Sequence, residues 1–225
     1  MGPTLGAILP LAVGVAISPV PIIAVILMLF SARARINGPA FLVGWIAALC
    51  VVGAIGIVLA GAAGTSGGST SSTVAAAIQV VLGLGLLLLA VRSWRGRPKT
   101  GEAATMPPWM ASIDAFTPGR ALGLAALLAG VNPKNLLLSL SAGSTIGAAS
   151  LGTGEAVAAL LVFVIVGSAS VAVPVVYHRV GGEHARKTLD GWKGWLTANN
   201  ATVMTVVLII IGAKVLGQGV GALIG

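Results

Sequence analysis

The sequence predicts an all-α integral membrane protein with six transmembrane helices, arranged as two inverted-topology three-helix repeats. Three observations predict this class. The 225-residue chain is 57% hydrophobic and only 8% charged, with a mean hydropathy of +1.04, whereas about 25% of the residues of a soluble domain are charged. Six apolar stretches each exceed or approach the roughly 20 residues that cross a bilayer. Prolines with polar neighbours break the first and the fourth stretch at matching positions.

The six predicted spans cover residues 5–30, 39–62, 73–92, 119–146, 154–177 and 201–222. Thr117 and Pro118 are typical of a helix start and precede the fourth span. Thr153 is the predicted cap of the fifth span, with Glu155 in its first turn, and two asparagines at 199–200 precede the sixth. We expect one domain over 1–225: a first repeat over 5–92, a loop over 93–118 and a second repeat over 119–225.

Positive charge alternates from loop to loop. The basic residues are concentrated in the first, third and fifth loops: Arg33, Arg35, Arg92, Arg95, Arg97, Lys99, Arg179, Arg186, Lys187 and Lys193. Because basic loops stay in the cytoplasm, both termini are predicted to be extracytoplasmic. The net charge of +8 then reflects orientation, so we expect no nucleic-acid partner.

Other chemistry is scarce. The single cysteine, Cys50, forms no internal disulfide, and the two histidines and five acidic residues lie outside the centres of the apolar stretches. We therefore expect no metal site. Neither a serine–histidine–acid arrangement nor an HExxH motif is present, so we predict that the protein is not an enzyme.

The third loop contains a short apolar stripe. Trp109, Ile113 and Phe116 recur at helical spacing, which predicts a helix lying at the membrane interface. Asp114 lies beside this stripe. It is either a solvated carboxylate next to Arg120 or a functional acid, and the sequence leaves both open.

The two breaks align when their first prolines are matched. This places Ser18, Pro19, Val20 and Pro21 opposite Asn132, Pro133, Lys134 and Asn135. Because each half has an odd number of spans, the second half crosses the membrane in the opposite sense, and paired broken helices indicate a midplane transport site. Proline removes an amide donor and frees carbonyls that lipid does not satisfy. The alternative is that the prolines only shape packing. The predicted translocation site consists of Ser18, Pro19, Pro21, Asn132, Pro133, Lys134 and Asn135.

Lys134 is the main candidate. An ammonium in mid-helix costs about 2.5–3.5 kcal/mol, so we expect it to face the bundle interior, with Ser18, Asn132, Asn135 or freed carbonyls as partners. Two roles stay open. It attracts an anionic substrate or exchanges a proton during transport, in which case Lys134→Met should abolish transport and preserve stability. Otherwise it is a structural lysine that ties the fourth helix to carbonyls of the first.

Two further polar residues are secondary candidates. Lys214 lies near a helix end, where it either extends to the outer surface or faces the interior. Gln79, in the third span, is by default a hydrogen-bonding residue in helix packing. Glycines predicted to allow close helix approach are Gly44, Gly53, Gly83 and Gly85.

The stretches "SPVP" (18–21) and "NPK" (132–134) resemble the lysine-exporter (LysE) superfamily of six-helix transporters. The stretch "WMASIDAFTPGRALGLAALLAGVNPKN" (109–135) looks more narrowly like its GAP or Sap branch, the peptidoglycolipid- and sulfolipid-addressing proteins of mycobacteria and related actinobacteria. The resemblance implies a multi-pass protein of the bacterial plasma membrane that helps to move cell-envelope glycolipids outward. The metal transporters of the superfamily use intramembrane acids, which this chain lacks.

The leading hypothesis is a secondary transporter or lipid translocator that moves an anionic or polar envelope (glyco)lipid, or a similar amphiphile, outward. It needs no cofactor, although proton coupling stays open. One alternative is an exporter of a small zwitterion such as an amino acid. Another is a non-transporting accessory subunit of an envelope-lipid export complex. Expected partners are membrane lipids and envelope-glycolipid export machinery, and a homodimer stays open.

Overall fold

The computed structural model describes residues 1–64, 69–97 and 108–224, and within these ranges all regular structure is helical. The elements in order are α1 (Gly2–Ala16), α2 (Pro19–Phe30), α3 (Ala34–Gly64), α4 (Ser69–Arg95), the 3-10 helix η1 (Pro108–Ala115), α5 (Pro118–Gly130), α6 (Pro133–Gly147), α7 (Thr153–Val180) and α8 (Gly182–Ile224).

The helices have the length and composition of membrane spans. Among the described residues, α3, α4, α7 and α8 each contain a candidate span, and the bent pairs α1–α2 and α5–α6 bring the number to as many as six. Large apolar side chains are exposed on the bundle, among them Leu88 (71% exposed), Ile165 (68%) and Ile210 (64%). Such a surface is favourable in lipid and unfavourable in water. The expectation of an all-helical, multi-pass membrane protein is confirmed at this level.

Both predicted breaks are present. The axes of α1 and α2 differ by 51°, and those of α5 and α6 by 65°. Each second half-helix begins at a proline, Pro19 or Pro133, which is favoured at a first helical position. The predicted cap at Thr117 is also confirmed, because its side chain accepts a hydrogen bond from the Arg120 amide (3.4 Å).

The prediction for the sixth span was wrong about its start. α8 begins at Gly182 and continues for 43 residues, so the asparagines at 199–200 lie inside it. The chain turns at Gly182, whose φ of +51° favours glycine. The start of the fifth span was also off by one residue: Gly152 is the N-cap of α7, and its amide donates to the Glu155 carboxylate (3.4 Å).

The first turns of α8 are helical because they have helices to pack against. Phe30, at the end of α2, lies beneath the cations of Arg186 (5.3 Å) and Lys193 (5.6 Å). The Tyr177 ring of α7 stacks on Trp192 of α8 at 6.4 Å. The charges that indicated a loop in the sequence belong to the polar face of this helical segment.

The segment before α5 is helical, as predicted, and it is a 3-10 helix that packs on the bundle; its position at the membrane interface stays a prediction. Met110 and Ile113 are buried, and Trp109 and Phe116 are partly buried. Asn37 of α3 donates to the Phe116 carbonyl (2.9 Å), which fixes the end of the segment to the bundle. The rest of the third loop, 98–107, lies outside the described residues.

Each broken pair packs on one long helix of the other half. α3 contacts α5 and α6, α7 contacts α1 and α2, and α4 runs along α8. Glycines permit the closest approaches, as predicted: a Cβ at Gly44 would overlap the Leu122 carbonyl, and one at Gly83 would lie 2.5 Å from the Leu216 amide nitrogen.

The two breaks lie at the level of the middle of α3. Beside Gly130, just before the second break, a Cβ would lie 3.6 Å from side-chain atoms of Ala48 and Val52. Val15, just before the first break, and Leu49 both flank Gly167 of α7. Because α3 covers Ala34–Gly64, both breaks are near the centre of a span.

Candidate functional site

The two breaks meet at the ammonium group of Lys134. This side chain is 2% exposed. Its Nζ donates to the Gly14 carbonyl (2.7 Å), the Ile17 carbonyl (2.8 Å) and the Ser18 hydroxyl (2.6 Å). An ammonium group has three protons, so all its donors are used within the protein. The expectation that Lys134 faces the interior, with Ser18 and freed carbonyls as partners, is confirmed.

The acceptors exist because of the prolines. In an unbroken helix, residues 19 and 21 would donate to the carbonyls of Val15 and Ile17, but Pro19 and Pro21 have no amide proton. The Ser18 hydroxyl lies 2.6 Å from the Val15 carbonyl and donates to it, while the Ile17 carbonyl takes the ammonium proton described above. Both carbonyls freed by proline are therefore satisfied by side chains.

The Gly14 carbonyl is freed by the turn itself. The Ser18 amide would be its donor in a continuous helix, but that amide bonds to the Ala16 carbonyl instead (2.8 Å). Lys134 supplies the replacement proton. A lysine at the carboxyl end of α1 also compensates the partial negative charge of that helix end, which favours its charged form although no carboxylate among the described residues pairs with it.

The second break uses its own two amide side chains. Asn132 caps α6, with its Oδ1 accepting from the Lys134 amide (3.1 Å). The Asn135 side-chain nitrogen donates to the Leu128 carbonyl (2.9 Å) on the other side of the break. The Ser18 hydroxyl lies 3.0 Å from Asn135 Oδ1. This pair is a second contact between the breaks, besides the hydrogen bonds of Lys134.

A pocket of about 430 Å³ opens beside the second break. It is enclosed by the start of α6, the end of α4 and the middle of α8; the lining residues are Leu89, Arg92, Ser93, Gly96, Asn132, Pro133, Lys134, Asn200, Ala201, Met204 and Leu208. We call it the polar pocket. Ser93 Oγ donates to the Ala201 carbonyl (3.3 Å) at its edge.

The polar pocket contains unused hydrogen-bonding capacity. Arg92 is exposed, and no hydrogen bond or ion pair joins it to another residue in the described part of the chain. Asn200 Oδ1 is buried and has no partner among the same residues. With Lys134 saturated, Arg92 is the cation of the pocket lining that keeps free donors in the described part of the chain.

The structure brings some of the predicted site residues together and separates others. Ser18, Lys134 and Asn135 contact one another across the breaks, Asn132 caps the second break, and Pro19, Pro21 and Pro133 begin the half-helices. Asp114 is exposed on η1, and Gln79 lies on α4 more than three turns before Arg92. Neither has a hydrogen bond to the site within the described ranges.

The ammonium group of Lys214 is bound to α1 instead of being free at the surface. Its Nζ donates to the carbonyl of Ala7 (3.2 Å) and lies 3.5 Å from that of Gly6. Pro10, inside α1, deprives the Gly6 carbonyl of its helical donor. Lys214 therefore connects α8 to a proline-freed carbonyl of α1, in the same way as Lys134 but at a partly exposed position.

The predicted site lacked three residues of the polar pocket: Arg92, Ser93 and Asn200. Arg92 was assigned to the topology-determining charges and Asn200 to a helix start. A signal was available: Leu196, Asn200, Met204 and Leu208 recur every four residues, so they share one face of a helix. Continuing the sixth span backward by six residues would have included them.

Comparison with known proteins identifies one family. The sequence model of a family described as SfLAP (Sap, sulfolipid-1-addressing protein) matches residues 8–221, nearly the whole chain. Neither the curated proteins nor the solved structures contain a significant match to the chain.

Proposed function

The chain belongs to the sulfolipid-1-addressing protein family, and from that premise we propose that it is a non-enzymatic secondary transporter or lipid translocator of the bacterial plasma membrane. Its substrate is an anionic or polar envelope (glyco)lipid or a similar amphiphile, which it moves outward. The observation that carries the proposal is the polar pocket, which places Arg92, a cation with no partner among the described residues, next to the second helix break. Kinship with the lysine-exporter superfamily is part of the proposal and rests on the proline breaks.

The position of the polar pocket supports entry from one membrane face. Arg92 and Ser93 lie in the last turn of α4, at the end of the bundle where Arg179 also donates to the Arg35 carbonyl (3.1 Å). Most basic residues lie at this end, which we call the basic end. By the positive-inside rule it is cytoplasmic and both termini are extracytoplasmic. An anionic head group would be attracted there and would reach Lys134 through the pocket.

In this proposal Lys134 is a latch between the two breaks. Because its three protons are already donated to the end of α1 and the first break, it binds no substrate in this conformation. An anion in the polar pocket competes with the α1 carbonyls for the ammonium group. When Lys134 turns toward the anion, those carbonyls lose their donor and α1 is released from α6. Substrate binding would thereby favour a second conformation, as differential binding requires.

An inverted repeat is part of the proposal, and the packing supports it. Exchanging the halves converts the α3–α5 contact into the α7–α1 contact, and the α2–α8 contact into the α6–α4 contact. Both breaks also lie near the centre of a span. The contact of α1 with α6 is far more extensive than its counterpart, α5 with α2, and that is where Lys134 lies. A two-fold axis in the membrane plane would relate the halves.

Reconstitution of the purified protein tests the proposed function. Liposomes containing a fluorescent anionic phospholipid should show faster movement of the probe between leaflets with the protein than without it. Arg92→Gln should slow this movement several-fold, whereas Arg95→Gln, one turn further along α4 and outside the pocket lining, should not. Equal rates for empty and protein-containing liposomes would favour an accessory subunit.

Two further measurements separate the alternatives, and reporter fusions test the proposed orientation. Uptake of an amino acid by the same liposomes, without lipid movement, would favour a zwitterion exporter. A lipidomic comparison of deletion and parent strains should show an envelope lipid accumulating in the deletion strain. Reporters fused after residue 225 or inserted near residue 67 should read extracytoplasmic, and one near residue 100 cytoplasmic; the reverse pattern would contradict the proposed orientation.

A further inference from the structure

A second cavity adjoins the first break and has the opposite chemistry. It has a volume of about 510 Å³, within the range of roughly 300–1,000 Å³ common for ligand sites. Its lining is almost entirely apolar, and the lining residues are Ala16, Ile17, Ile22, Ala169, Ser170, Val173, Trp192, Trp195 and Leu196. We call it the apolar cavity. Three walls form it: the first break, α7 and the early turns of α8.

Part of the apolar cavity is formed by a candidate membrane span. Ala169, Ser170 and Val173 belong to the candidate span of α7, and Ile17 is at the break near the centre of a span. Several of its large side chains are exposed, including Val173 (50%), Trp192 (41%) and Trp195 (60%). An opening bordered by exposed apolar side chains at this depth is reached from lipid, so its occupant is apolar.

Two features connect the apolar cavity to the polar pocket. Ile17 lines the apolar cavity, while its carbonyl accepts a proton from Lys134, which lines the polar pocket. On α8, Trp192 and Leu196 line the apolar cavity, and Asn200 and Met204 line the polar pocket. These four residues are spaced by four, so they form one continuous stripe along the helix.

We propose that the apolar cavity holds an acyl chain of the amphiphile whose anionic head group occupies the polar pocket beside Arg92. This inference rests on the proposed function and specifies its substrate class: a lipid with a negatively charged head, not a water-soluble zwitterion. The occupant follows from complementarity. Apolar walls suit a hydrocarbon chain, and the Arg92 guanidinium, which has no partner among the described residues, suits an anion. The Lys134–Ile17 contact lies between the head-group site and the acyl-chain site.

Photo-crosslinking tests this inference without requiring transport. The probes are phosphatidylglycerol and phosphatidylcholine, each with a diazirine in one acyl chain, in vesicles that contain the full-length protein. In the wild type we expect phosphatidylglycerol to label the region around Trp192 and Trp195 at least several-fold more than phosphatidylcholine does. Arg92→Gln should reduce the phosphatidylglycerol signal to the phosphatidylcholine level.

A plug variant tests the cavity itself. Ala169→Trp fills it from α7 and should lower phosphatidylglycerol labelling about five-fold. The matched control Ile165→Trp places the same ring one turn away, on an exposed residue outside the lining, and should leave labelling unchanged. Val173→Trp serves as a second plug if Ala169→Trp does not accumulate.

The outcomes separate this inference from the proposed function. Equal labelling by the two lipids in the wild type, or unchanged labelling in both plug variants, would overturn the inference, because ordinary boundary lipid gives those results. Lipid movement in the reconstitution assay combined with unselective labelling leaves the proposed function intact and removes the acyl site. Selective, plug-sensitive labelling without lipid movement leaves the site and removes the transport activity.

Discussion

The first and second breaks solve the same backbone problem with different means. The first has two prolines and one hydroxyl, and it depends on Lys134 for two of its three freed carbonyls. The second has one proline and two asparagines, which cap α6 and bridge the break from within. One break thus supplies acceptors, and the other supplies the missing donor. The first break is stable only while the second is docked against it.

The breaks also differ in how their long helices hold them. α3 meets α6 backbone to backbone: a Cβ at Gly143 would overlap the Gly53 carbonyl, and one at Gly56 would lie 2.8 Å from the Leu140 carbonyl. α7 meets α1 through side chains, since a Cβ at Gly167 would lie 3.3 Å from Val15. The second break and α3 therefore form the more tightly packed unit. The first break is the part that can move when the hydrogen bonds of Lys134 are broken.

The largest effect should come from Lys134→Met. The change leaves the Gly14 and Ile17 carbonyls without their donor. Each buried acceptor that lacks a donor lowers the free energy of unfolding by about 1–3 kcal/mol. Part of this loss is offset because a buried charge disappears, so we expect a net loss of about 2–4 kcal/mol. These contacts revise the expectation from sequence that stability would stay near that of the parent. Thermal unfolding in detergent measures the loss.

A second variant, Lys134→Arg, keeps the positive charge and changes the shape of the donor group. A guanidinium has more donors but a wider, planar geometry, so it should recover part of the stability and little of the transport. A Lys134→Met variant that unfolds at the parent's temperature would show that the first break does not depend on this lysine.

The next largest effect should come from Gly143→Ala. The added methyl group collides with the backbone of α3 at Gly53, and overpacking of this kind costs about 1–3 kcal/mol. Gly123→Ala on α5 is the matched control, because no heavy atom lies within 4 Å of a Cβ there; it should be neutral or slightly stabilising, since alanine is the better helix former. If both variants unfold together with the parent, the tight contact of α3 with α6 is not a determinant of stability.

Ser18→Ala should have a smaller effect that is specific to the first break. The Val15 carbonyl and the Lys134 ammonium group each lose a partner, for an expected loss of about 1–2 kcal/mol. Ser31→Ala removes a hydroxyl whose one hydrogen bond among the described residues is to the Met28 carbonyl (2.7 Å) at the end of α2, so it should cost less than about 1 kcal/mol. Lipid movement should fall in Ser18→Ala alone. Equal effects of the two variants would mean that the contact between the breaks adds nothing to an ordinary helix-end bond.

The positions of the breaks could be predicted from sequence because proline acts locally. Removing the amide of Pro19, Pro21 or Pro133 has a consequence that depends on no distant residue. The partners of Lys134 were predicted as a class for the same reason, since a buried ammonium needs acceptors. Which carbonyls it binds depends on how α1 and α6 are oriented, and that is a property of the whole bundle.

Other features could not be predicted because their causes lie far away in the chain. The charged stretch at 182–200 is helical because Phe30 and Tyr177 pack against it. Arg92 and Asn200 become pocket residues only because α4 runs along α8 at the start of α6. Asp114, a candidate on sequence grounds, is exposed because its neighbour Ile113 takes the buried position on η1.

The smallest effect should come from Lys214→Met. This variant and Lys134→Met together compare the two lysines that bind carbonyls at or near α1. Lys134 donates to carbonyls freed by the first break. Lys214 is only partly buried, donates mainly to the Ala7 carbonyl (3.2 Å) and lies 3.5 Å from the Gly6 carbonyl that Pro10 frees. Of its two acceptors, the Gly6 carbonyl is exposed enough to find another donor when the lysine is lost. We therefore expect a loss below about 1 kcal/mol and normal lipid movement. The measurement is the same pair of assays used for Lys134→Met, on both variants in parallel. If Lys214→Met stopped lipid movement while its unfolding temperature stayed at that of the parent, the residue that handles substrate would lie at the end of the bundle opposite the polar pocket, and the latch assigned to Lys134 would have to be abandoned.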